Sequence, residues 1–247
     1  MSKCQPAVLV TVAAIAFAGC SESQVPPTES PASRENGAHQ ALRVKADLAR
    51  GRRWELGWGA ASAYDVASGQ LIRRVPLPGA SFAGTPQTCL PDMLLSRSGA
   101  LIVSSDAQTT VWRVSPSHFE IERYDIAVDS DKDKDFGFSG LAWGADERVL
   151  YAVSAAMGTL WRIDLMSSTA SKVELSSPIH GACGLAVAAS DATGREPPSL
   201  VVANGSRNSL QRIFLSSDLT RGVVGNLRAT ELAAALGGAD PSQLRRY

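Results

Sequence analysis

The stretch Thr110-Val111-Trp112-Arg113-Val114 recurs along the chain and decides which fold the sequence predicts. Forty-nine positions later the chain reads Thr159-Leu160-Trp161-Arg162-Ile163, and fifty positions after that it reads Ser209-Leu210-Gln211-Arg212-Ile213. A weaker copy, Ser62-Ala63-Tyr64-Asp65-Val66, comes forty-eight positions before the first stretch. Self-similarity at a fixed period of this length is typical of repeat architectures. The sequence therefore predicts a fold built from four copies of one unit.

Each copy divides into short apolar runs separated by turn residues, which predicts four short β-strands per repeat. In the second copy the inner runs are nearly continuous and apolar, as in strands buried on both faces. The outer run instead alternates Phe119 and Ile121 with Glu120 and Glu122, as a half-exposed strand does. An apolar inside and a polar outside are what the blades of a β-propeller require. A four-stranded sandwich without closure is the alternative.

The predicted strands of the four copies are given by number. They are 54–58, 63–66 and 70–75 in the first copy; 92–96, 100–105, 110–114 and 119–124 in the second; 140–143, 148–154, 159–164 and 171–175 in the third; and 184–188, 199–204 and 210–215 in the fourth.

The segment AYDVASGQLIRRVPLP, residues 63–78, resembles the repeats of YVTN-type and WD40-type propellers. Such repeats run as a strand, a Ser/Gly turn and a strand that ends in Pro. The resemblance covers residues 43–228 and implies an all-β propeller of about four four-stranded antiparallel blades. Either four blades close the ring, or the chain is truncated relative to a larger propeller. Members of these families range from scaffolds to quinoprotein-like enzymes, so the fold does not carry a function with it.

A short helical tail is predicted for residues 229–247. Thr230 is placed to cap a helix over 230–236 that Gly237 ends. A second helix start follows, with Asp240 at the cap, Pro241 in the first turn and Gln243 two residues further on.

The N-terminus predicts a secretory signal peptide over residues 1–19. Lys3 supplies the positive charge and residues 7–18 supply the apolar region. Phe17-Ala18-Gly19-Cys20 resembles the lipobox of bacterial lipoproteins, which implies that Cys20 is acylated and becomes the first residue of the mature chain. An ordinary signal peptide with an incidental Cys is the alternative.

Residues 20–42 are polar and rich in Pro, which predicts a disordered tether. Ser21 after the cysteine resembles the pattern of lipoproteins sorted to the bacterial outer membrane. We therefore expect a lipid anchor in that membrane, with the folded domain facing the periplasm.

The composition limits the classes of partner. Lys and Arg together number 24, as do Asp and Glu, so the net charge is zero, and 45% of the residues are hydrophobic, as in a globular protein. Nucleic-acid binding needs a clustered excess of Lys and Arg. We expect the membrane, through the lipid, and a protein or a small molecule as partners, and no nucleic acid.

Cys89 and Cys183 each come just before a predicted innermost strand, in the second and the fourth copy. A disulfide between them is compatible with the oxidising periplasm. It requires Cα atoms within about 7 Å of each other, although these copies would face one another across the channel of a four-bladed ring. Two free, buried thiols are the alternative.

Repeat equivalence also places His180 near Asp92 and Ser139, at the mouth of the predicted channel, where Asn204 joins them. These four side chains could line a ligand-binding site. The alternative is that they are turn residues that cap strand ends.

The acidic stretch from Asp129 to Asp135 has a carboxylate at every second position. It fails the EF-hand pattern because Lys134 stands where Gly is required and Gly140 stands where Glu is required. We interpret it as a solvated loop between blades.

No complete motif for nucleophilic, phosphate or metal chemistry occurs in the sequence. The predictions are therefore no metal, no cofactor and no catalytic residue, with Trp54, Trp112 and Trp161 packing as core. The favoured function is a non-catalytic binding or scaffolding module. The alternative is a propeller enzyme of the lactonase or quinoprotein class with a site at the channel mouth.

Overall fold

Seventeen β-strands, which we label β1–β17 in chain order, make up the fold in the part of the chain that the structure describes. The structure is a computed structural model, and it describes residues 41–83, 89–128, 137–144, 147–188, 199–204 and 209–227. The predicted signal peptide, Cys20 and nearly all of the tether lie outside the described residues, as do the acidic stretch 129–135 and the helical tail 229–247.

The strands form four successive antiparallel units of four strands each, which we call meanders 1–4. Neighbouring strands along the chain are neighbours in each sheet, so every connection within a meander is a hairpin. Meander 1 consists of β1 (Arg43–Asp47), β2 (Arg52–Leu56), β3 (Ala60–Asp65) and β4 (Leu71–Pro76). Meander 2 consists of β5 (Met93–Leu95), β6 (Leu101–Ser104), β7 (Thr110–Val114) and β8 (Ile121–Asp125).

The second half of the chain repeats the pattern after the short strand β9 (Ala127–Val128). Meander 3 consists of β10 (Gly140–Trp143), β11 (Leu150–Ser154), β12 (Thr159–Asp164) and β13 (Thr169–Leu175). Meander 4 consists of β14 (Ala182–Val187), β15 (Ser199–Asn204), β16 (Ser209–Leu215) and β17 (Arg221–Asn226). The recurring stretch Thr110–Val114 is β7, the third strand of meander 2.

Three buried apolar clusters hold successive meanders together. Alternate residues of one strand point to opposite faces of the sheet, so one meander contributes to two clusters. Thus Leu101 and Val103 of β6 pack towards meander 1, whereas Ile102 packs towards meander 3. The third cluster joins meander 3 to meander 4 through side chains such as Tyr151, Leu160, Val202 and Ile213.

The prediction that the tryptophans are core residues is confirmed. Trp54 and Trp112 are fully buried between meanders 1 and 2, and Trp161 is buried between meanders 2 and 3. Trp54 is not a copy of the other two, since it lies on β2 and faces the following meander. Tyr64 of β3 occupies the position that corresponds to Trp112.

Besides the two-residue strand β9, two strands were not predicted from the sequence. β1 alternates polar and small side chains, with Arg43, Lys45 and Asp47 on one face, and so lacks the apolar run expected of an innermost strand. β17 contains two glycines, which lower its strand propensity. Both strands are nevertheless paired along their length with β2 and β16.

The innermost strands of meanders 3 and 4 approach each other closely. A Cβ atom built on Gly140 of β10 would lie 2.9 Å from the backbone of Gly184 in β14. A Cβ on Gly184 would instead meet only the Cβ of Ala203, at 3.7 Å. Gly140 therefore permits this approach, and a side chain there would force the strands apart.

Parallel pairing at the rim adds hydrogen bonds between units. β13 pairs in parallel with β17 through Glu174 and Leu175, and it pairs in parallel with β9 at its other end. None of the helical segments in the described part of the chain, which include the 3-10 turn Leu48–Arg50, is long and apolar enough to cross a membrane.

Candidate functional site

The predicted ligand residue Asp92 lies immediately before β5 and connects meander 2 to meander 3. Its Oδ1 accepts a hydrogen bond from the amide of Met93 at 2.8 Å, and its Oδ2 accepts one from the amide of Leu141 at 2.9 Å. Burial raises the pKa of the Asp92 carboxyl, and the Leu141 amide and the charge of Arg43 oppose that rise. Both oxygens are thus engaged with backbone, one on each side of the junction.

Ser139 occupies the corresponding position before β10 and connects meander 3 to meander 4. Its hydroxyl lies 2.6 Å from the carbonyl oxygen of Ala182 and 3.2 Å from that of Val153. The residue is almost fully buried. Asp92 and Ser139 therefore each connect one meander to the next through a hydrogen bond to a backbone group.

A second repeated position lies at the end of the second strand of each meander. Ser104, Ser154 and Asn204 follow one another at intervals of fifty residues, and all three are buried. Ser104 donates to the carbonyl oxygen of Phe138 at 2.8 Å, and Asn204 donates through Nδ2 to the carbonyl oxygen of His180 at 2.6 Å. The Ser154 hydroxyl has no hydrogen-bond partner among the described residues.

The imidazole of His180 is exposed, and its Nδ1 lies 3.2 Å from the carbonyl oxygen of Ala156. Of the four predicted ligand residues, the structure joins only Asn204 and His180 by a hydrogen bond, and that bond uses the backbone of His180. Asp92 and Ser139 are engaged at separate junctions.

Cys89 and Cys183 form a disulfide in the structure, with their Cα atoms 5.3 Å apart. Cys89 lies in the loop before β5. Cys183 lies within β14 rather than before it, at a register shift between Ala182 and Gly184. Such an irregularity re-aims a side chain locally. The disulfide therefore connects meander 2 directly to meander 4.

Arg43 adds a further link that the sequence did not predict. Its Nε donates to the carbonyl oxygen of Pro91 at 3.0 Å, and its Nη2 donates to the carbonyl oxygen of Cys183 at 3.3 Å. It thus connects the innermost strand of meander 1 to the segment that follows Cys89 and to Cys183 itself. Arg43 was missed because β1 itself was not recognised as a strand.

The described residues contain no group of three or more His, Cys, Asp and Glu side chains arranged to hold a metal ion.

The sequence also gave no indication of a groove of about 380 Å³ that opens between meanders 2 and 3. It is lined by Arg113, Tyr124, Trp143, Glu147, Leu165 and Met166. Arg113 and Tyr124 come from β7 and β8, and the other four come from meander 3 and its turns. The sequence did not indicate this groove because its lining residues lie far apart along the chain.

Polar contacts arrange the meander 2 side of this groove. Glu122 accepts hydrogen bonds from Tyr124 Oη at 2.6 Å and from Arg113 Nη1 at 2.9 Å. These bonds lower the pKa of Glu122, while the bond to Glu122 raises the pKa of Arg113. Burial is the main reason that the pKa of Tyr124 is raised.

The meander 3 side combines apolar surface with one acceptor. Glu147 Oε1 accepts a hydrogen bond from the amide of Arg97 at 2.7 Å. The side chain of Met166 is 99% exposed. The groove is therefore lined by aromatic and aliphatic side chains together with Arg113 and Glu147.

No protein-family model matches the chain, and no curated protein matches its sequence. Solved structures do match its fold. A streptogramin B lyase structure is 16% identical, covers 77% of this chain and 56% of its own, and has a TM-score of 0.52. The Kuenenia stuttgartiensis hydrazine synthase is 13% identical, with 76% of this chain and 50% of its own covered and a TM-score of 0.53. The structure of U3-55K is 13% identical, with 77% and 53% covered and a TM-score of 0.51.

These structures are of the β-propeller type. The chain has a repeat β-propeller fold. It spans about half the length of these three solved structures. At these identities the likeness concerns the fold alone.

Proposed function

We propose that this protein is a periplasmic lipoprotein, anchored to the outer membrane through Cys20, whose propeller is a non-catalytic binding module. Each meander serves as one blade, four in all, in a YVTN/WD40-like repeat. The observation that carries the binding role is the groove between meanders 2 and 3, because it combines exposed apolar surface with oriented charge.

The polar side chains at the ends of the inner strands support a structural role there. Asp92, Ser139 and Asn204 each bond to backbone groups of neighbouring segments. A side chain that satisfies a buried backbone group cannot be withdrawn to bind a ligand without leaving that group unpaired, at a cost of about 1–3 kcal/mol. We therefore assign these residues to the framework.

The groove suits a protein partner. Aromatic side chains, Met and Arg are enriched at protein interfaces, and Tyr124, Trp143, Met166 and Arg113 supply all three classes. Met adapts its shape to different partners because it is unbranched and polarisable. An apolar side chain of the partner would lie against Leu165 and Met166.

A photo-activatable amino acid placed at position 166 tests this assignment in cells. We expect one predominant protein adduct from position 166, and loss of that adduct when Trp143→Ala and Tyr124→Ala are combined. A probe at Trp58, which is 60% exposed and is not among the groove's lining residues, is the matched control. Equal adducts from both positions, or an adduct that survives the double substitution, would contradict the assignment.

The anchor has its own test. Cys20→Ser is expected to abolish palmitate labelling and to release the protein from the membrane fraction, whereas Cys4→Ser, in the predicted signal peptide, is expected to change neither. Retention of label or of membrane association in Cys20→Ser would rule out lipidation at this residue.

The non-catalytic role is tested on the purified protein. We expect no hydrolysis of lactones, no oxidation of alcohols and an unchanged melting temperature on addition of Ca²⁺. Turnover of either substrate would favour the alternative, an enzyme of the lactonase or quinoprotein class.

A further inference from the structure

Meander 4 has one sheet face that no other meander covers. We call it the plus face and define it by the side chains that point away from meander 3: Ala186, Val201, Ala203, Leu210, Arg212, Phe214 and Val223. The assignment follows from the register, since Leu200, Val202 and Ile213 on the opposite face belong to the cluster with meander 3. Phe214 is 39% exposed and Val223 is 61% exposed.

The repeat shows that these positions are core positions elsewhere in the chain. Val201 corresponds to Ile102 and Tyr151, and each of these two is at most 3% exposed because the next meander covers it.

Likewise, Leu210 corresponds to Val111 and Leu160, which are fully buried. In meander 4 the residue types remain apolar, yet Val201 and Leu210 are only half-buried. The plus face thus has the composition of a covered surface.

The opposite end of the array is different. We call the face of meander 1 that points away from meander 2 the minus face. Where meanders 2 and 3 place Val103 and Ala152, meander 1 has Arg53, which pairs with Glu55 at 2.7 Å. The guanidinium of Arg53 also lies over the ring of Tyr64, 5.4 Å from its centroid.

A charged outer face is typical of a terminal, capping repeat. Burying the pair of Arg53 and Glu55 would remove both ions from water, which makes the minus face a poor cover for an apolar sheet. The apolar face that best complements the plus face is therefore a second plus face.

We propose that two copies of this chain associate through their plus faces, around a two-fold axis. Isologous pairing of this kind needs one self-complementary patch, and two-fold dimers are the commonest soluble oligomers. Phe214 and Val223, which are cross-strand partners, are the exposed large apolar side chains of the patch. Arg212 lies over the ring of Phe214, 4.8 Å from its centroid, and bonds to Ser199 Oγ at 3.0 Å, so its charge is held against its own sheet.

The area of the plus face determines how strongly two copies are expected to associate. Four strands of about six residues cover a sheet area of roughly 400 Å², from the usual strand spacing and rise. Two such faces bury about 800 Å² in total, which is below the size of stable specific interfaces, so we expect weak and reversible association. We expect a dimer that forms in the micromolar range.

Sedimentation of residues 20–247 carrying Cys20→Ser, in aqueous buffer without detergent, tests the proposal. The expected result is a monomer–dimer equilibrium that shifts with concentration, and a monomer at every concentration for Phe214→Glu combined with Val223→Glu. Trp58→Glu, at a residue that is 60% exposed in the turn between β2 and β3 of meander 1, is the matched control and is expected to associate like the unsubstituted chain. Circular dichroism checks that the variants are folded.

Val66→Glu tests the orientation, since Val66 is 50% exposed and follows β3 of meander 1 at the position that corresponds to Val114. Unchanged association is expected for two-fold pairing of plus faces. Loss of association in Val66→Glu would indicate head-to-tail contact between plus and minus faces and would overturn the proposal. A monomeric unsubstituted chain, or a dimer that survives the double substitution, would also overturn it. Because no lipid is present, the outcome is independent of the proposed anchor.

Discussion

A carboxylate as deeply buried as that of Asp92 is costly unless hydrogen bonds offset its loss of water. Two backbone amides, from Met93 and Leu141, supply such bonds. Burial nevertheless has the larger effect, and the pKa of Asp92 is raised above the ordinary aspartate value of 3.8. The neutral form is therefore favoured more in the folded protein than in the unfolded chain.

The sign of the resulting pH dependence follows from linkage. A group with a raised folded pKa stabilises the fold fully below its unfolded pKa, and that contribution is lost as the pH rises through the folded pKa. The quantity to compare is the free energy of unfolding of the unsubstituted protein minus that of Asp92→Asn. We expect this difference to be largest at and below about pH 3.8, which is the ordinary pKa of an aspartate. It should decrease as the pH rises above that value. Urea unfolding at a series of pH values measures this difference.

Asp218 provides a control of opposite sign. Hydrogen bonds from Ser216 and Thr220 lower its pKa to about 2. Its contribution is therefore present above pH 3.8 and is lost as the pH falls towards 2. A difference for Asp92→Asn that grew with pH, as it should for Asp218→Asn, would show that the amide bonds outweigh burial at Asp92.

The tryptophans allow a second prediction at the same scale. Trp161 is 1% exposed, so Trp161→Ala leaves a large cavity and is expected to lower the free energy of unfolding by about 3–5 kcal/mol. Trp58 is 60% exposed, and Trp58→Ala is expected to change it by less than about 0.5 kcal/mol. Chemical denaturation of both variants is the measurement. Similar losses in the two would contradict the assignment of Trp161 to the core.

At this scale the core positions of the tryptophans could be predicted from the sequence, whereas the hydrogen-bond partners of Asp92 and Ser139 could not. Trp112 and Trp161 could be recognised because their position recurs with the repeat. The roles of Asp92 and Ser139 could not be read in this way, because their partners are backbone groups of the next meander. Which amide a side chain meets depends on how two sheets are placed, and the residue pattern of one strand carries no information on that placement.

At the scale of strands, Gly140 is a position where the chain tolerates little change. A methyl group there would meet the backbone of Gly184 at 2.9 Å, which must shift to accommodate it. We expect Gly140→Ala to lower the free energy of unfolding by about 1–3 kcal/mol, the usual cost of overpacking.

Gly184→Ala is the matched control for this prediction. Its new methyl group would make ordinary van der Waals contact with Ala203 at 3.7 Å, so we expect a small effect on thermal unfolding. If both substitutions lower the stability of the fold equally, the close approach of β10 and β14 is not the reason that position 140 requires glycine.

The strands of meanders 2 and 3 were predicted nearly as the structure has them, because burial on both faces leaves a continuous apolar run. β1 escaped prediction because its Arg43, Lys45 and Asp47 serve purposes other than apolar packing: Arg43 bonds to Pro91 and Cys183, and Asp47 lies near two arginines. Periodicity identifies strands that are stabilised by apolar burial. Periodicity does not identify strands that are stabilised by hydrogen bonds and ion pairs.

At the scale of the whole molecule, the disulfide between Cys89 and Cys183 closes a loop of 94 residues that includes all of meanders 2 and 3. Replacing both cysteines by Ser is expected to lower the free energy of unfolding by about 2–4 kcal/mol, since the unfolded chain gains freedom. Thiol labelling of the unfolded, unreduced protein is expected to leave both cysteines unmodified. Labelling of either one would show that the pair is open in solution.

The order of the meanders was predictable from the repeat, but the contact between the second and fourth was not. The sequence left a disulfide and two free thiols as alternatives, because the distance between the copies depends on how closely the inner strands approach the axis. The register shift beside Cys183 turns this residue out of the regular ladder of β14. A shift of one residue within a strand cannot be predicted from a repeat that recurs about every fifty residues.

The parallel pairing of β13 with β17 affects how the rim exchanges protons with water. An outermost strand normally directs alternate amides towards solvent. In β13 and just beyond it, the amides of Glu174 and Ser176 instead donate to the carbonyl oxygens of Thr220 and Gly222, each at 2.9 Å. Their hydrogens can be replaced by deuterium only when the rims of meanders 3 and 4 separate, so we expect deuterium uptake there to report on motion between two meanders rather than on fraying of one strand.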